Sequence, residues 1–234
     1  MALGYHRDLL HGGGLGIFRI CEVGRRRMTL KAVAFYWTLP VPWADFTRLP
    51  AAIDDAAKAS RTIRFQRETI HDYARRQGLE LVHEEAFLEI HPDRGSNTIT
   101  DALNKAACIC RDHGALLVFV DFSGVQQWRS HQPMHDWLTT AKVDSLPIEA
   151  APILLDGVLF DPHAHFSKWR EAQWQWSSTK QDRADKAAAR TRELQAAGLK
   201  YPAIARTLNE EKLRSLSGKP WTAESLRKLM TASK

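Results

Sequence analysis

The chain has 234 residues, 44% of them apolar, and a formal net charge of +6. That length allows one domain or two small ones with a packed core, and no apolar run approaches the ~18 residues of a membrane span. "GGGLGIFRI" is too short and too interrupted for a secretory leader, and three cysteines (Cys21, Cys108, Cys110) make neither a disulfide framework nor a zinc site. A cytoplasmic protein with ordinary thiols, no metal and no cofactor is expected.

Charge is unevenly placed. Residues 180–234 carry 13 Lys/Arg against 6 Asp/Glu, and the remainder carries 20 against 21. The excess lies wholly in the last quarter. A basic tail on a neutral body points to a polyanion-binding module, the alternative being a solvated helical tail.

In chain order, residues 1–27 show no sustained periodicity and end in Arg25-Arg26-Arg27. They read as a loose extension before Met28, itself a candidate start, or as a basic arm for nucleic acid. Residues 31–39 read as a buried strand. Pro40, Pro42 and Pro50 keep the next stretch irregular, with a short helix in "AAIDDAAKA", and the connection far exceeds the usual ~2–6 residues. Residues 62–77 are helical, with Ile63, Ile70, Tyr73 and Ala74 on one face and Gly78 as the stop. A strand over 79–87 and a helix over 101–113 follow, the helix turning Leu103, Ala106, Ala107 and Cys110 inward. "ALLVFVDF" (115–122) is a continuous apolar run, as in a strand covered on both faces. A helix over 133–142 and a hairpin around Asp156-Gly157 complete the unit. This order predicts an α/β fold over 28–162, a mostly parallel sheet flanked by helices. One long connecting helix is expected over 163–190, with Trp169, Trp174 and Trp176 forming a packing face rather than a base-stacking one.

The tail, 191–234, reads as three short helices. Gly198 ends the first as a C′ residue, and Pro202 opens the second, which carries Ile204, Ala205 and Leu208 on one face. "SGKP" breaks the chain, and Thr222 caps a third helix with Leu226, Leu229 and Met230 as its apolar stripe. The pattern matches a helix-turn-helix module whose third helix enters the major groove, with the Thr222 end nearest the bases. The link from Asn209 to Thr222 exceeds the ~3–4 residues of the tight motif, so it is a variant; a dimerisation cap is the alternative. The candidate DNA-contacting residues are Arg190, Lys200, Arg206 and Lys219, with Thr222, Ser225, Arg227 and Lys228 on or beside the third helix.

"GLKYPAIARTLNEEKLRSLSGKPWTAESLRKLM" resembles the recombinase domain that follows the catalytic domain in large serine recombinases of the resolvase/invertase group. The Ile-Ala-Arg-x-Leu-Asn core, Gly-Lys-Pro-Trp and the closing Leu-Arg-x-Leu carry the likeness. "FQRETIHDYARRQGLELV", with Gln66, and "ALNKAACICRDHGALLVFVDF" are similar to segments of that family's catalytic domain. The resemblance implies a resolvase-like fold, binding of double-stranded DNA, and pairing as a homodimer or with a partner recombinase.

The departures fall on the chemistry. The family attacks a DNA phosphodiester with a serine in a Tyr-x-Arg-x-Ser pattern, and arginine forks match the phosphate oxygens. Laid on this sequence, the arginine place holds Trp37, the serine place Leu39, and two further arginine places Gly124 and Gln127. The family's arginine before the second helix falls at about Ser96 to Thr100. The resemblance therefore implies a member that keeps the fold and the DNA reader without strand transfer. An enzyme using a displaced serine such as Ser123 and a protein-binding regulatory module remain the alternatives. His131 with His135, and His163 with His165, read as surface or turn histidines, and Glu84, Glu85 and Glu89 as a solvated face. "GGGLG" follows no strand and is no phosphate loop.

Overall fold

A computed structural model describes residues 29–90, 96–125 and 131–232. The readings of 1–27, Met28 and Gln127 lie outside these residues. The chain begins its regular structure with β1 (Lys31–Thr38), which is buried at every position but its first. It lies inside a four-stranded sheet of order β2-β1-β3-β4, with β2 (Glu80–Leu88), β3 (Leu116–Asp121) and β4 (Ser145–Glu149) all parallel to their neighbours. Helices α1 (Ile53–Ala59), α2 (Arg61–Gln77), α3 (Ile99–His113) and α4 (Gln132–Thr140) connect and flank the strands. The α/β architecture is as expected.

The helix faces follow the apolar spacing. Ile63, Ile70 and Ala74 of α2 are buried, as are Leu103, Ala106, Ala107 and Cys110 of α3; Tyr73 is only half-buried. Ser60 caps α2 by accepting the Ile63 N–H at 3.3 Å, and Gly78 ends it at φ 67°, a left-handed angle that favours glycine. The β4 strand was not expected from "SLPIE". It is an edge strand whose residues alternate between exposed and half-buried, and Pro147 is tolerated there because an edge leaves one side of the ladder unpaired.

The strands at the centre of the sheet part early. β1 pairs with β2 along its whole length but with β3 only from Ala32 to Phe35. Beyond Phe35, the Trp37 backbone has no strand on the β3 side. Gln66, wholly buried on α2, takes that place: the Trp37 N–H donates to its Oε1 at 3.1 Å, and its Nε2 donates to the Trp37 carbonyl at 2.7 Å. A third bond, from Nε2 to the Thr62 carbonyl at 3.0 Å, fixes the amide orientation.

The Asp156-Gly157 hairpin forms as expected, with β5 (Ile153–Leu155) and β6 (Val158–Phe160) antiparallel and positive φ at both turn residues. Phe160 stacks on Phe65 with ring centroids 4.7 Å apart, tying the hairpin to α2. The single connecting helix is instead two helices, α5 (Pro162–Ser178) and α6 (Lys180–Ala196), separated at Thr179. The Ser178 hydroxyl bonds back to the Gln175 carbonyl, and the Thr179 hydroxyl to those of Gln175 and Trp176. These hydroxyl bonds sit beside ladder bonds that persist at Thr179, from its N–H to the Gln175 carbonyl at 3.2 Å and from the Arg183 N–H to its own carbonyl at 3.1 Å, so the separation is a one-residue irregularity. Phe166 and Trp169 of α5 join the α/β core, whereas Ala184, Ala187 and Ala188 of α6 join a second core with α7 (Tyr201–Glu210) and α8 (Ala223–Ala232).

Gln66→Leu is expected to leave the buried Trp37 N–H and C=O without partners and to cost about 2–4 kcal/mol, read from urea unfolding midpoints.

Candidate functional site

The carboxyl end of the sheet is filled rather than open. Trp37 and Leu39 are each 5% exposed. The Trp37 ring meets Phe122 edge-on at 5.8 Å and His131 at 5.2 Å, and Phe122 in turn meets Phe166 at 5.1 Å. Aromatic packing of Trp37 and the buried aliphatic side chain of Leu39 therefore occupy the positions laid on the arginine and the serine of the resolvase pattern. Gly124 is exposed in the turn after β3, and a Cβ there would touch nothing within 4 Å. Ser123 donates its hydroxyl to Asp121 Oδ2 at 2.7 Å and its N–H to Oδ1 at 2.8 Å, so both groups serve to close that turn.

Beside Trp37 lies a buried acid–imidazole pair absent from the sequence reading. Glu89, 1% exposed, accepts the N–H of Ser96 at 3.0 Å and faces His131 Nε2 at 2.5 Å. The Met134 N–H donates to His131 Nδ1 at 3.3 Å, which places the ring proton on Nε2, aimed at the carboxylate. His131 is thus a buried N-cap of α4 and not a surface histidine. His165 is also half-buried, bonding Thr62 Oγ1 at 3.1 Å, and no group of three or more His, Cys, Asp or Glu among the described residues is placed to hold a metal.

Glu84 likewise departs from the solvated-face reading. It accepts from Tyr36 Oη at 2.7 Å, from Arg67 Nε at 2.9 Å and contacts His71 Nε2 at 3.0 Å, while Arg67 also pairs with Asp54 at 2.7 Å. Burial works to raise the Glu84 pKa, but the bonds from Arg67, His71 and Tyr36 outweigh it and hold it below the usual carboxylate value. Burial, with Glu84 alongside, pushes the Tyr36 hydroxyl far above its ordinary range. No spacing rule joins residues 36, 54, 67, 71 and 84; the sheet register and the α1–α2 packing do.

In the three-helix unit, Ile204, Ala205, Leu208, Leu226 and Leu229 form the core with Trp221. Gly198, at φ 85°, ends α6 with the Leu199 N–H bonded back to the Leu194 carbonyl at 3.0 Å. Asn209 was missed in the sequence: its side chain accepts the Trp221 N–H at 2.7 Å and donates to the Trp221 carbonyl at 3.0 Å, clasping the loop before α8. Its place at the end of Ile-Ala-Arg-x-Leu-Asn was the available signal. An open groove of about 580 Å³ lies between α7 and the start of α8, with Arg206 and Glu210 on one wall and Trp221, Thr222 and Ala223 on the other.

The eight candidate contact residues divide by what holds them. Thr222 and Ser225 cap α8 reciprocally: Thr222 Oγ1 accepts the Ser225 N–H at 3.1 Å and Ser225 Oγ accepts the Thr222 N–H at 2.9 Å. Arg190 is committed to Glu211 and Glu193, tying α6 to the end of α7, and it holds the Glu211 carboxyl below its ordinary pKa. Lys228 pairs with Glu224 at 2.8 Å, and Arg227 lies over the Tyr201 ring at 5.4 Å, both exposed. Lys200, Arg206 and Lys219 are exposed and have no ion-pair partner among the described residues.

No family model matches the chain, and it has no significant match among curated proteins or solved structures. No helix among the described residues is long and apolar enough to cross a membrane.

The depressed Glu84 pKa sets a sign for pH dependence. Its stabilisation is present above the unfolded carboxylate pKa of about 4.3 and is lost as pH falls through the lower folded value. Glu84→Gln is expected to cost about 1–3 kcal/mol at pH 7, with the gap to wild type narrowing as pH falls below the unfolded carboxylate pKa of about 4.3 in urea titrations.

Proposed function

We propose that this chain binds double-stranded DNA through α6, α7 and α8 as a recombinase-like protein, and that it does not carry out strand transfer. The observation that carries the reading is the third helix. α8 is short, capped by its own Thr222–Ser225 pair, seated on a clasped loop, and turns Arg227 and Lys228 to solvent. Arg206 lines the groove beside the start of α8, Lys219 lies in the loop just before it, and Lys200 precedes α7; all three are exposed. Phosphates recruit such side chains, and a helix of this kind fits the major groove. Thr222 and Ser225 act by positioning α8, since their hydroxyls are spent on the cap; Arg190 acts by holding α6 to α7.

The absence of strand transfer rests on the filled strand end. A serine or a water attacking a phosphodiester needs an approach path and positive charge around the phosphate. Here Trp37, Leu39 and Phe122 close the space, and among the described residues the acidic side chain beside Trp37 is Glu89, already taken up by His131. The Ser123 hydroxyl is engaged by Asp121.

Mobility-shift titrations test the DNA reading. Wild type is expected to retard duplex at low salt, with affinity falling linearly in log salt. Arg227→Ala with Lys228→Ala is expected to weaken binding about tenfold or more and to lower the salt slope by about 1 per lost phosphate contact. No retardation of any duplex at low salt would refute the reading. Unchanged binding by the double variant would move the contact surface off α8.

A further inference from the structure

The long connection after β1 has a structural use that DNA binding does not explain. Within Pro40 to Ala52 the first half forms a closed platform: Val41 and Phe46 bond each other's backbones at 2.8 and 3.1 Å around a 3-10 turn at Pro42–Ala44. Asp45 follows at φ 62°, a left-handed angle that aspartate tolerates better than most residues. On its inner side the platform is anchored by Trp43 against Trp169 of α5, with centroids 5.9 Å apart.

On its outer side it meets the loop between α7 and α8. Arg214 forms an ion pair with Asp45, and Gly218 lies flat against Pro42. A Cβ added to Gly218 would fall 2.3 Å from Pro42 Cβ and 2.8 Å from its Cα, and φ at Gly218 is +79°. Two independent reasons therefore demand glycine there, the backbone angle and the neighbouring unit. The ion pair is open to solvent, its side chains 25% and 53% exposed, so it is weak and sensitive to salt.

The other end of the three-helix unit carries a joint. α5 and α6 part at Thr179, after two serines, at φ −90° and ψ 12°; backbone bonds from the Thr179 N–H to the Gln175 carbonyl and from the Arg183 N–H to the Thr179 carbonyl still cross the joint, so it is a one-residue loosening and not a gap. Arg183 spans the break: its Nη1 donates to the Trp176 carbonyl at 2.5 Å and to Thr179 Oγ1 at 2.7 Å, and its guanidinium lies 3.5 Å from the Trp176 ring centre. The break thus has a brace on its near side and, far along the chain, a small polar contact that closes it.

We propose that the three-helix unit is a hinged arm, latched onto the Pro40–Ala52 platform by Arg214–Asp45 and the Gly218–Pro42 contact, and that it swings out at Thr179 when the latch is broken. The device concerns the position of the arm and requires no DNA, so it stands or falls separately from the DNA-binding proposal.

Size-exclusion-coupled X-ray scattering of the full chain tests it. At low salt, wild type is expected to match the compact latched form, and in 1 M salt its radius of gyration and maximum dimension are expected to grow. Asp45→Asn keeps the left-handed backbone but removes the charge; it is expected to shift the open-to-closed ratio about two- to fivefold. Gly218→Val blocks closure sterically and is expected to leave the arm mostly open at every salt concentration. Far-UV circular dichroism checks that each variant is folded. The two substitutions lie in different units and the salt series needs neither, so a folding failure in one leaves the other arms decisive. Scattering curves that superpose across both variants and all salts would overturn the proposal, as would a wild type already extended at low salt.

Discussion

The parting of β1 and β3 beyond Phe35 is the constraint on which the rest of the α/β unit depends. In a parallel sheet such a parting opens a crevice at the carboxyl ends of the strands, where α/β proteins commonly place their chemistry. It also leaves the last turns of the central strand without backbone partners, which buried polar groups do not tolerate. This chain meets both demands by filling the space. Gln66 returns the missing backbone bonds to Trp37, and the rings of Trp37, Phe122, His131 and Phe166 close the rest. The crevice becomes core, and the strand end gains stability where it would otherwise offer a reactive group.

The polar groups around that core are settled among themselves. Glu89 is held between a backbone amide and His131, Ser123 is turned onto Asp121, and Glu84 collects Tyr36, Arg67 and His71. Each carboxylate has donors of its own, so none is left seeking a ligand among these contacts. In the three-helix unit the balance differs. Arg190 and Asn209 spend their bonds on assembly, and the cations farther out on α7, α8 and the Lys219 loop remain toward solvent. The chemical contrast between a self-satisfied sheet end and an outward-facing basic tail supports assigning whatever partner the chain has to the tail.

Much of the fold was legible because apolar spacing and glycine stops act locally. Gly78, Gly114 and Gly198 each end a helix where the periodicity stops, all at positive φ, and Asp156-Gly157 turns the hairpin as its dipeptide indicates. The β4 strand was hidden because an edge strand needs only Leu146 and Ile148 turned inward and tolerates Pro147. The break at Thr179 was hidden because serine and threonine act there through hydroxyl bonds that leave no mark in hydrophobic spacing. The candidate site was less legible. Glu89 and His131 lie 42 residues apart, and Glu84 meets Tyr36 across 48; the β1–β2 register brings the second pair together, and the placing of the α4 N-terminus beside the end of β2 the first. Thr222 was visible as a cap, but the reciprocal bond, in which Ser225 Oγ accepts the Thr222 N–H, was not.

The most direct test of a DNA reader joined to a filled strand end is one incubation analysed two ways. Full-length protein is mixed with a nicked duplex at low salt, and the mixture is run on native and on denaturing gels. The expected result is a retarded band on the native gel and free DNA alone on the denaturing gel. A protein–DNA band that survives denaturation and disappears in Ser123→Ala would contradict the account, since it would show a covalent phosphoserine link formed at the sheet end.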